Sequence, residues 1–232
     1  EYTAFRVDSY PSGSGVHSPD SVRFTDDILQ DAKRRDFNCN AVYYDLSQEK
    51  LVDPLGGIID IKNGILSTAD APDITLGQDG LRIMRMIRFV STLGYGVEEQ
   101  TLASAKKLAA GLNDISVERI REELDKILAG DNCRKALELL NEIRALKIIL
   151  PELAANDKVA QNEKYHKYDV LEHIFAVVEN CPPSVRLAGL FHDVGKGACY
   201  AECGNTYLHN VIGAKITEEV LTRLKYPKKT ID

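Results

Sequence analysis

The sequence predicts an α+β fold that is mostly α-helical. Short β-prone segments are confined to the part of the chain before Gly57, and apolar residues beyond that point recur at the three- and four-residue spacing of amphipathic helices. The 232 residues, 44% hydrophobic and 28% charged, suffice for one large domain or two to three small ones. Collagen-like, disordered and membrane classes do not fit this composition.

The β-prone part begins with residues 1–7, a short and partly alternating stretch that we predict as a strand. We predict a helix at residues 24–35, because acidic residues favour its start and cations favour its end. Residues 36–45 lead into a second strand. Residues 50–53 run into a Pro-Leu-Gly-Gly turn, so the two stretches together indicate a hairpin.

Beyond Gly57 the predicted elements are helices with short connections. We place a break at residues 70–73 and a polar linker at residues 156–164. Ser116 is the predicted N-cap of one helix, and Gly130 lies just past its end. The helices are predicted at residues 80–93, 100–110, 117–128, 134–140, 169–181 and 185–193.

The helix predicted at residues 80–93 has apolar residues on one side, while Arg82, Arg85 and Arg88 recur every third residue. With Asp79 one turn before Arg82, its start offers an acceptor and a donor side by side, which is what reading the edge of a nucleobase requires. The alternative is a solvated basic face with an ordinary ion pair.

Charge and cysteine content restrict the function classes further. A net charge of −6 does not indicate a nucleic-acid binder, although a local basic surface is enough to contact phosphates. The five cysteines are scattered and are predicted to be reduced thiols; the Cys199 and Cys203 pair lacks the further ligands of a zinc site. We find no membrane span or leader, and we expect a cytoplasmic protein.

Two guanidinium groups beside a carboxylate, in Arg34-Arg35-Asp36, suit a nucleotide, because cations attract a triphosphate and a carboxylate accepts from a ribose hydroxyl. A helix end followed by a turn is the alternative. Three motifs follow one another along this part of the chain. The motifs are Arg34-Arg35-Asp36-Phe37-Asn38-Cys39-Asn40-Ala41, Asp53-Pro54-Leu55-Gly56-Gly57 and Gln78-Asp79-Gly80-Leu81-Arg82.

In this order the motifs resemble those of the bacterial class II tRNA nucleotidyltransferases, the CCA-adding enzymes, and the related poly(A) polymerases. Asn38, Leu55 and Gln78 stand where the family has Thr, Phe and Glu. The stretches at residues 115–120 and 149–153 also resemble the family. The resemblance implies a partial nucleotidyltransferase head with a mixed β-sheet at residues 1–70, a helical neck and body at 71–160, and an incomplete α-helical HD domain at 161–232.

The resemblance implies transfer of CMP and AMP from CTP and ATP to the 3′ end of tRNA. Asp79 and Arg82 correspond to the template that pairs with the incoming base, Asp36 to a ribose contact and Arg35 to a triphosphate ligand. We expect Gln78 to alter how its neighbours are oriented without abolishing their function, because an amide can still accept and donate. The implied nucleotide-binding residues are Arg34, Arg35, Asp36, Asn40, Asp79, Arg82 and Arg85.

Family members also carry an Asp-x-Asp pair that holds two Mg²⁺ ions, and this chain contains no such pair. Glu1 is the only weak candidate for a catalytic carboxylate, so the catalytic residues remain unassigned. We therefore expect the chain as written to bind but not to transfer nucleotides.

His173, His192, Asp193 and His209, with the form His-Asp-x-Gly-Lys at residues 192–196, resemble the HD superfamily, which implies a possible divalent metal. Several alternatives stay open. The protein could be an A-adding enzyme or a poly(A) polymerase, an HD-type phosphohydrolase, or a non-catalytic tRNA- or nucleotide-binding module. The sequence does not predict the oligomeric state.

Overall fold

The computed structural model describes residues 4–10, 19–159 and 168–231. It confirms an α+β fold that is mostly helical. The described strands form three separate two-stranded sheets, two antiparallel and one parallel, so the implied mixed sheet is not continuous within these residues. The pairs are β1 (Arg6–Ser9) with β2 (Ser21–Phe24), β3 (Tyr43–Asp45) with β4 (Lys50–Val52), and, in parallel, β5 (Ile65–Leu66) with β6 (Gly96–Val97).

Helices make up most of the chain beyond the second hairpin. None of the described helices is long and apolar enough to cross a membrane. The helices are α1 (Ile28–Lys33), α2 (Gly57–Asn63), α3 (Pro72–Gln78), α4 (Leu81–Leu93), α5 (Glu99–Leu108), α6 (Val117–Ala129), α7 (Cys133–Glu142), α8 (Ala145–Ile149), α9 (Pro151–Ala154), α10 (Val170–Asn180), α11 (Arg186–Phe191), α12 (Gly195–Cys203), α13 (His209–Arg223) and α14 (Lys228–Ile231).

The predicted hairpin and the helices at 80–93, 117–128 and 169–181 are confirmed, but two predicted boundaries are wrong. The helix predicted from Phe24 begins only at Ile28, because Phe24 belongs to β2 and the Asp27 carboxylate accepts from the backbone N–H groups of the first turn. The break predicted at residues 70–73 is the start of α3, since Pro72 occupies the first helical turn, where its missing N–H costs nothing.

The Asp-Pro-Leu-Gly-Gly motif fixes the start of α2. The Asp53 carboxylate accepts from the backbone N–H groups of Gly57 and Ile58, at 2.8 and 2.9 Å. A β carbon at position 57 would overlap the carbonyl oxygen of Asn38, so only glycine allows this close approach. The motif thereby holds α2 against the turn that follows Arg35 and Asp36.

Helix α4 lies at the centre of the packing. Most of its apolar side chains are buried, and Ile83, Met84 and Ile87 are fully so. The helix packs against α6 and α7. The cluster of buried apolar residues runs without interruption from Phe37 to Leu224. Helices α10 and α13, which carry His173 and His209, therefore share one core with α4 to α9.

Asn156 corrects the start of the linker predicted at residues 156–164, of which residues 160–164 lie outside the described residues. Its side chain is fully buried; Nδ2 donates to the carbonyl of Val194 at 3.0 Å, and Oδ1 accepts from Gly197 N–H at 2.8 Å. A buried amide that satisfies backbone groups on both sides joins two segments instead of separating them. The polarity of the run misled the sequence prediction at this residue.

Arg186 makes a second buried connection. Its guanidinium donates to the carbonyls of Leu128 and Gly130, both at 2.7 Å, and to that of Cys181 at 3.0 Å. Leu128 lies at the end of α6, Gly130 lies just after that helix, and Cys181 caps the end of α10. One side chain thus satisfies three carbonyls where the neck meets the C-terminal helices.

We predict that Arg186→Met lowers the free energy of unfolding by about 3 kcal/mol, because it leaves buried carbonyls without a donor. Lys215→Met is the control: its ion pair with Glu219 is exposed, and its loss should cost less than about 0.5 kcal/mol. Urea unfolding measures both. Equal effects of the two substitutions would contradict a structural role for Arg186.

Candidate functional site

A cavity of about 620 Å³ lies between β1, the segment that follows α1, the first half of α4, and α6. All seven residues predicted to bind nucleotide line this cavity: Arg34, Arg35, Asp36, Asn40, Asp79, Arg82 and Arg85. The other lining residues are Arg6, Asp8, Tyr10, Pro19, Leu81, Phe89 and Arg119. Glu1, the weak catalytic candidate, lies outside the described residues.

Arginines outnumber aspartates in the lining by six to three. A guanidinium keeps its charge at any accessible pH and presents a planar set of donors. The cavity is therefore suited to an anion with several oxygens, such as a chain of phosphates.

Asp31 lies beneath the cavity and organises two of these arginines. Its side chain is fully buried. Oδ1 accepts from Arg34 Nε at 2.8 Å and from the backbone N–H of Arg6 at 3.0 Å. Oδ2 accepts from Arg35 Nη2 at 2.9 Å and from the Tyr43 hydroxyl at 2.8 Å. Each carboxylate oxygen thus holds one arginine.

This network shifts the pKa of Asp31 and that of Tyr43. Burial by itself would raise the pKa of Asp31, but hydrogen bonds from the Arg6 N–H, Tyr43 and the two arginines outweigh it and lower the pKa to about 2. Burial, reinforced by the hydrogen bond to Asp31, raises the pKa of Tyr43 to about 12. The carboxylate is therefore charged throughout the neutral range.

Asp36 is also saturated by protein donors. Oδ1 accepts from Asn40 Nδ2 at 2.8 Å and from Phe37 N–H at 2.9 Å, and Oδ2 accepts from Arg85 Nε at 2.7 Å. A ribose hydroxyl that bonded Asp36 would share its oxygens with Arg85 or Asn40. The three residues form one unit at the cavity wall.

Arg82 is buried, with 7% of its surface exposed. Nη1 donates to the carbonyl of Thr75 at 3.0 Å and to Gln78 Oε1 at 3.1 Å; Nη2 donates to the carbonyl of Arg34 at 2.7 Å. Gln78 therefore keeps an acceptor where the family has a carboxylate. The solvated basic face considered from the sequence is wrong for this residue.

The other two arginines of α4 also have specific partners, Asp36 for Arg85 and Glu123 on α6 for Arg88. Asp79 lies between α3 and α4, where Oδ1 accepts from Leu81 N–H at 2.9 Å and Oδ2 pairs with Arg119 Nη2 at 3.0 Å. The predicted donor and acceptor, Arg82 and Asp79, are thus both held in place by protein contacts.

The described aspartates of the cavity do not fit a two-magnesium site. Asp8 pairs with Arg6 at 2.9 Å, Asp36 with Arg85, and Asp79 with Arg119. A Mg²⁺ ion prefers several open oxygen ligands, whereas each of these carboxylates is already neutralised by a guanidinium. We assign no catalytic step to magnesium on these residues.

The four predicted metal-ligating residues also converge. His173, His192 and Asp193 place ligand atoms within 4.8 Å of one another. His192 Nε2 lies 3.2 Å and His173 Nε2 lies 3.5 Å from Asp193 Oδ2, and His209 Nε2 lies 3.6 Å from Asp193 Oδ1. Imidazole and carboxylate ligands of this kind suit a divalent transition metal.

Lys196 completes the cluster, with Nζ 2.6 Å from Asp193 Oδ2. Burial would raise the pKa of Asp193, but hydrogen bonds from His192 and Lys196 dominate and hold it well below its usual range. The hydrogen bond to Asp193 in turn raises the pKa of His192. The charges within the cluster are therefore strongly coupled.

Gly195 brings His209 to this cluster. A β carbon at position 195 would overlap the backbone of His209 and Gly213, so the glycine allows α12 and α13 to pack in direct contact. The Gly of the His-Asp-x-Gly-Lys motif thus has a packing role beside the clustered His192 and Asp193.

Sequence analysis did not single out Arg119, which lines the cavity, or Asp31 and Tyr43, which contact its lining arginines. Asp31 precedes Arg34 and Arg35 by three and four residues, a helical spacing that places charges side by side and could have identified it. Tyr43 and Arg119 have no such local signal, because their partners are distant in sequence.

Two family profiles match the chain. The poly A polymerase head domain matches residues 1–67, and the probable RNA and SrmB-binding site of polymerase A matches residues 94–156. Together these two profiles cover more than half of the chain, which therefore belongs to the poly(A) polymerase family. The profiles adjoin the cavity from both sides, since Arg34 to Asn40 lie in the first and Arg119 in the second.

Curated relatives agree with the family. An A-adding tRNA nucleotidyltransferase of Deinococcus radiodurans is 33% identical over 92% of this chain and 52% of its own length. A CCA-adding enzyme of Geobacillus sp. (strain WCH70) is 37% identical over 74% of this chain and 42% of its own length. The chain therefore spans about half the length of the curated relatives it matches.

A solved structure supports the same fold. The crystal structure of the Bacillus stearothermophilus CCA-adding enzyme in complex with CTP is 26% identical, with a TM-score of 0.57, and the match covers 99% of this chain and 60% of that one.

The low pKa of Asp31 predicts an acid-dependent stability. A carboxyl whose pKa falls from its ordinary 3.8 to about 2 on folding contributes stability above about pH 4 that is lost as the pH falls through about 2. The difference in unfolding free energy between the wild type and Asp31→Asn should therefore stay constant from pH 7 to about pH 4. It should shrink by about 2 kcal/mol below that. Urea unfolding across this range measures it, and a constant difference down to pH 2 would contradict the prediction.

Proposed function

We propose that the protein is a tRNA nucleotidyltransferase that adds CMP and AMP, from CTP and ATP, to the 3′ end of tRNA. The observation that carries this proposal is the convergence of all seven motif residues on one arginine-rich cavity. The names of the relatives and the CTP complex of the similar structure support the substrate class. The chain spans about half the length of these relatives, and the reaction is therefore proposed for the whole protein.

In this proposal the cavity binds the nucleotide in three parts. Asp79 accepts from the amino group that cytosine and adenine share, and Arg82 donates to the neighbouring ring acceptor. Asp36, positioned by Arg85 and Asn40, contacts the ribose. Arg34 and Arg35 bind the triphosphate. Arg82 and Arg85 are already oriented by protein contacts, so binding requires little reorganisation.

We propose that tRNA binds the helical part of the chain. Lys106, Arg144, Lys147 and Lys158 line one cleft between α5, α7 and α9, and the profile that covers most of it describes an RNA-binding site. Clustered cations bind a nucleic acid mainly through its phosphates. The domain division at residues 70 and 160 also remains a proposal, with residues 161–232 as an HD-type unit.

Incorporation of labelled CTP and ATP into tRNAs that end before CCA, after C and after CC tests the proposed function in the longest form of the protein. Ordered addition that stops after A supports a CCA-adding enzyme. Addition of A alone to the tRNA ending in CC supports an A-adding enzyme, as the Deinococcus relative is named, and an unlimited A tail supports a poly(A) polymerase. Nucleotide binding without incorporation in that form would favour a non-catalytic binding module.

We predict that Asp79→Asn lowers kcat/KM for both CTP and ATP about tenfold or more, and raises the relative use of UTP and GTP, in the same assay. The amide presents a donor where the carboxylate accepted, and uracil and guanine carry a carbonyl where cytosine and adenine carry an amino group.

Asp73→Asn is the matched control for this substitution. Asp73 belongs to the adjacent helix α3, and its carboxylate pairs with Lys107 outside the cavity. The control should keep the wild-type base preference. A base preference that Asp79→Asn leaves unchanged would exclude Asp79 from base recognition.

The histidine cluster supports a second candidate function, metal-dependent phosphate-ester hydrolysis. His173, His192 and Asp193 would hold the ion, and a bound divalent cation would supply Lewis-acid polarisation of a phosphoryl oxygen. Lys196 neutralises Asp193 in the absence of the ion. The alternative is a purely structural role, in which the cluster links α10, the end of α11 and α13.

We predict that the chain binds Mn²⁺ or Co²⁺ and that His173→Ala weakens binding about tenfold or more, because it removes one of three clustered ligands. Glu172→Gln, an exposed change next to His173 on the same helix, is the control and should bind like the wild type. Isothermal titration calorimetry measures both. If the wild type binds neither Mn²⁺ nor Co²⁺, only the structural role of the cluster remains.

A further inference from the structure

We propose that Asp31 is a positioning residue for phosphate recognition: its buried carboxylate fixes the guanidinium groups of Arg34 and Arg35 as a preformed site for a polyphosphate chain. This inference rests on the proposed function, because it assumes that the cavity accepts the triphosphate of a nucleotide. It assigns a role to a residue that does not itself line the cavity.

The first argument is the division of the carboxylate between the two arginines. Oδ1 lies 2.8 Å from Arg34 Nε and 2.7 Å from its Nη2, and Oδ2 lies 3.1 Å from Arg35 Nε and 2.9 Å from its Nη2. Both guanidinium groups therefore present their Nε edge to Asp31. A planar guanidinium bound along one edge cannot rotate without breaking both contacts.

The second argument concerns the donors that remain for a ligand. Arg35 uses Nη1 on the carbonyl of Asn40 at 3.0 Å, and Arg34 Nη1 lies 3.6 Å from Asp8. Each guanidinium has five N–H groups, so these contacts leave donors at the tips of both side chains. Both side chains line the cavity, where a phosphate oxygen can reach those tips.

The third argument is that the support is rigid. Tyr43, on β3, donates to Asp31 Oδ2, and its ring lies 5.0 Å from the Arg35 guanidinium. The backbone of Arg6, on β1, donates to Asp31 Oδ1 and accepts from Arg34 Nε at 3.1 Å. Two strands and α1 thus fix the pair, and ligand binding does not have to immobilise two flexible arginines.

The fourth argument is that burial of this charge serves more than stability. A fully buried carboxylate requires several donors to offset its desolvation, and a buried ion pair is weak evidence for stability. Three of the four residues that donate to Asp31, namely Arg6, Arg34 and Arg35, line the cavity. We infer that the network orients the two arginines for the ligand.

Calorimetric titration of sodium tripolyphosphate into the chain, with EDTA present to exclude metal ions, tests the proposal. We expect Asp31→Asn to raise the dissociation constant about tenfold or more, because an amide cannot accept from both guanidinium edges. Asp27→Ala is the matched control: it removes the N-cap of the same helix without touching either arginine, and it should leave the dissociation constant within about twofold. Tripolyphosphate binding that Asp31→Asn leaves unchanged, or that the wild type lacks, would overturn the proposal.

Tyr43→Phe keeps the carboxylate and removes one of its donors, so it tests the network even where Asp31→Asn unfolds the chain. We expect it to weaken tripolyphosphate binding about threefold. Circular dichroism establishes that each variant is folded before titration. Wild-type affinity in a folded Tyr43→Phe variant would argue against the network.

A double-mutant cycle separates positioning from a general structural effect. Arg35→Lys should weaken tripolyphosphate binding in the wild type but change it little in Asp31→Asn, because Asp31 acts through Arg35. Additive losses would overturn the proposal. Titration of CTP and ATP then tests the proposed function separately. A wild type that binds tripolyphosphate, but binds neither nucleotide more tightly than tripolyphosphate, would contradict the nucleotide site. That result would leave the role of Asp31 intact.

Discussion

The buried guanidinium of Arg82 is the interaction on which the rest of the cavity depends. It cannot lose its charge, so burial forces the surrounding chain to supply acceptors. Those acceptors are the carbonyl of Thr75 in α3, the side chain of Gln78 and the carbonyl of Arg34 after α1. One side chain at the start of α4 therefore joins the end of α3 to the segment that carries Arg34, Arg35 and Asp36.

Helix α4 divides its residues between core and site. Its apolar face packs on α6 and α7, and each of its three arginines has a different partner: backbone carbonyls for Arg82, Asp36 for Arg85 and Glu123 for Arg88. Because these partners belong to different segments, the helix sets the distance between the N-terminal motif and the neck. Asp31 is a second buried charge, and its carboxylate fixes the orientation of Arg34 and Arg35. The arginines of the cavity are therefore oriented by protein contacts before any ligand binds.

The two candidate sites are parts of one folded body. The apolar core continues from the neck into the helices that carry the histidine cluster. Asn156 satisfies two backbone groups just after Asp193, at Val194 and Gly197, so it helps to position the segment that carries His192 and Asp193. A change in the packing around Asn156 would therefore alter the position of the segment that carries His192 and Asp193.

The sequence by itself determined the helical class, the hairpin, most helix positions and the residues that meet in both sites, because these follow from local periodicity and from the order of short motifs. Even there it misplaced the start of α1, where the Asp27 cap competes with a strand that ends at Phe24. Only the tertiary structure decided which charges are buried and which partners they have. Arg119 meets Asp79 across 40 residues, and Asn156 reaches Gly197 across 41. No local pattern encodes such contacts, because the desolvation that makes a polar group select its partner arises only once distant segments have packed together.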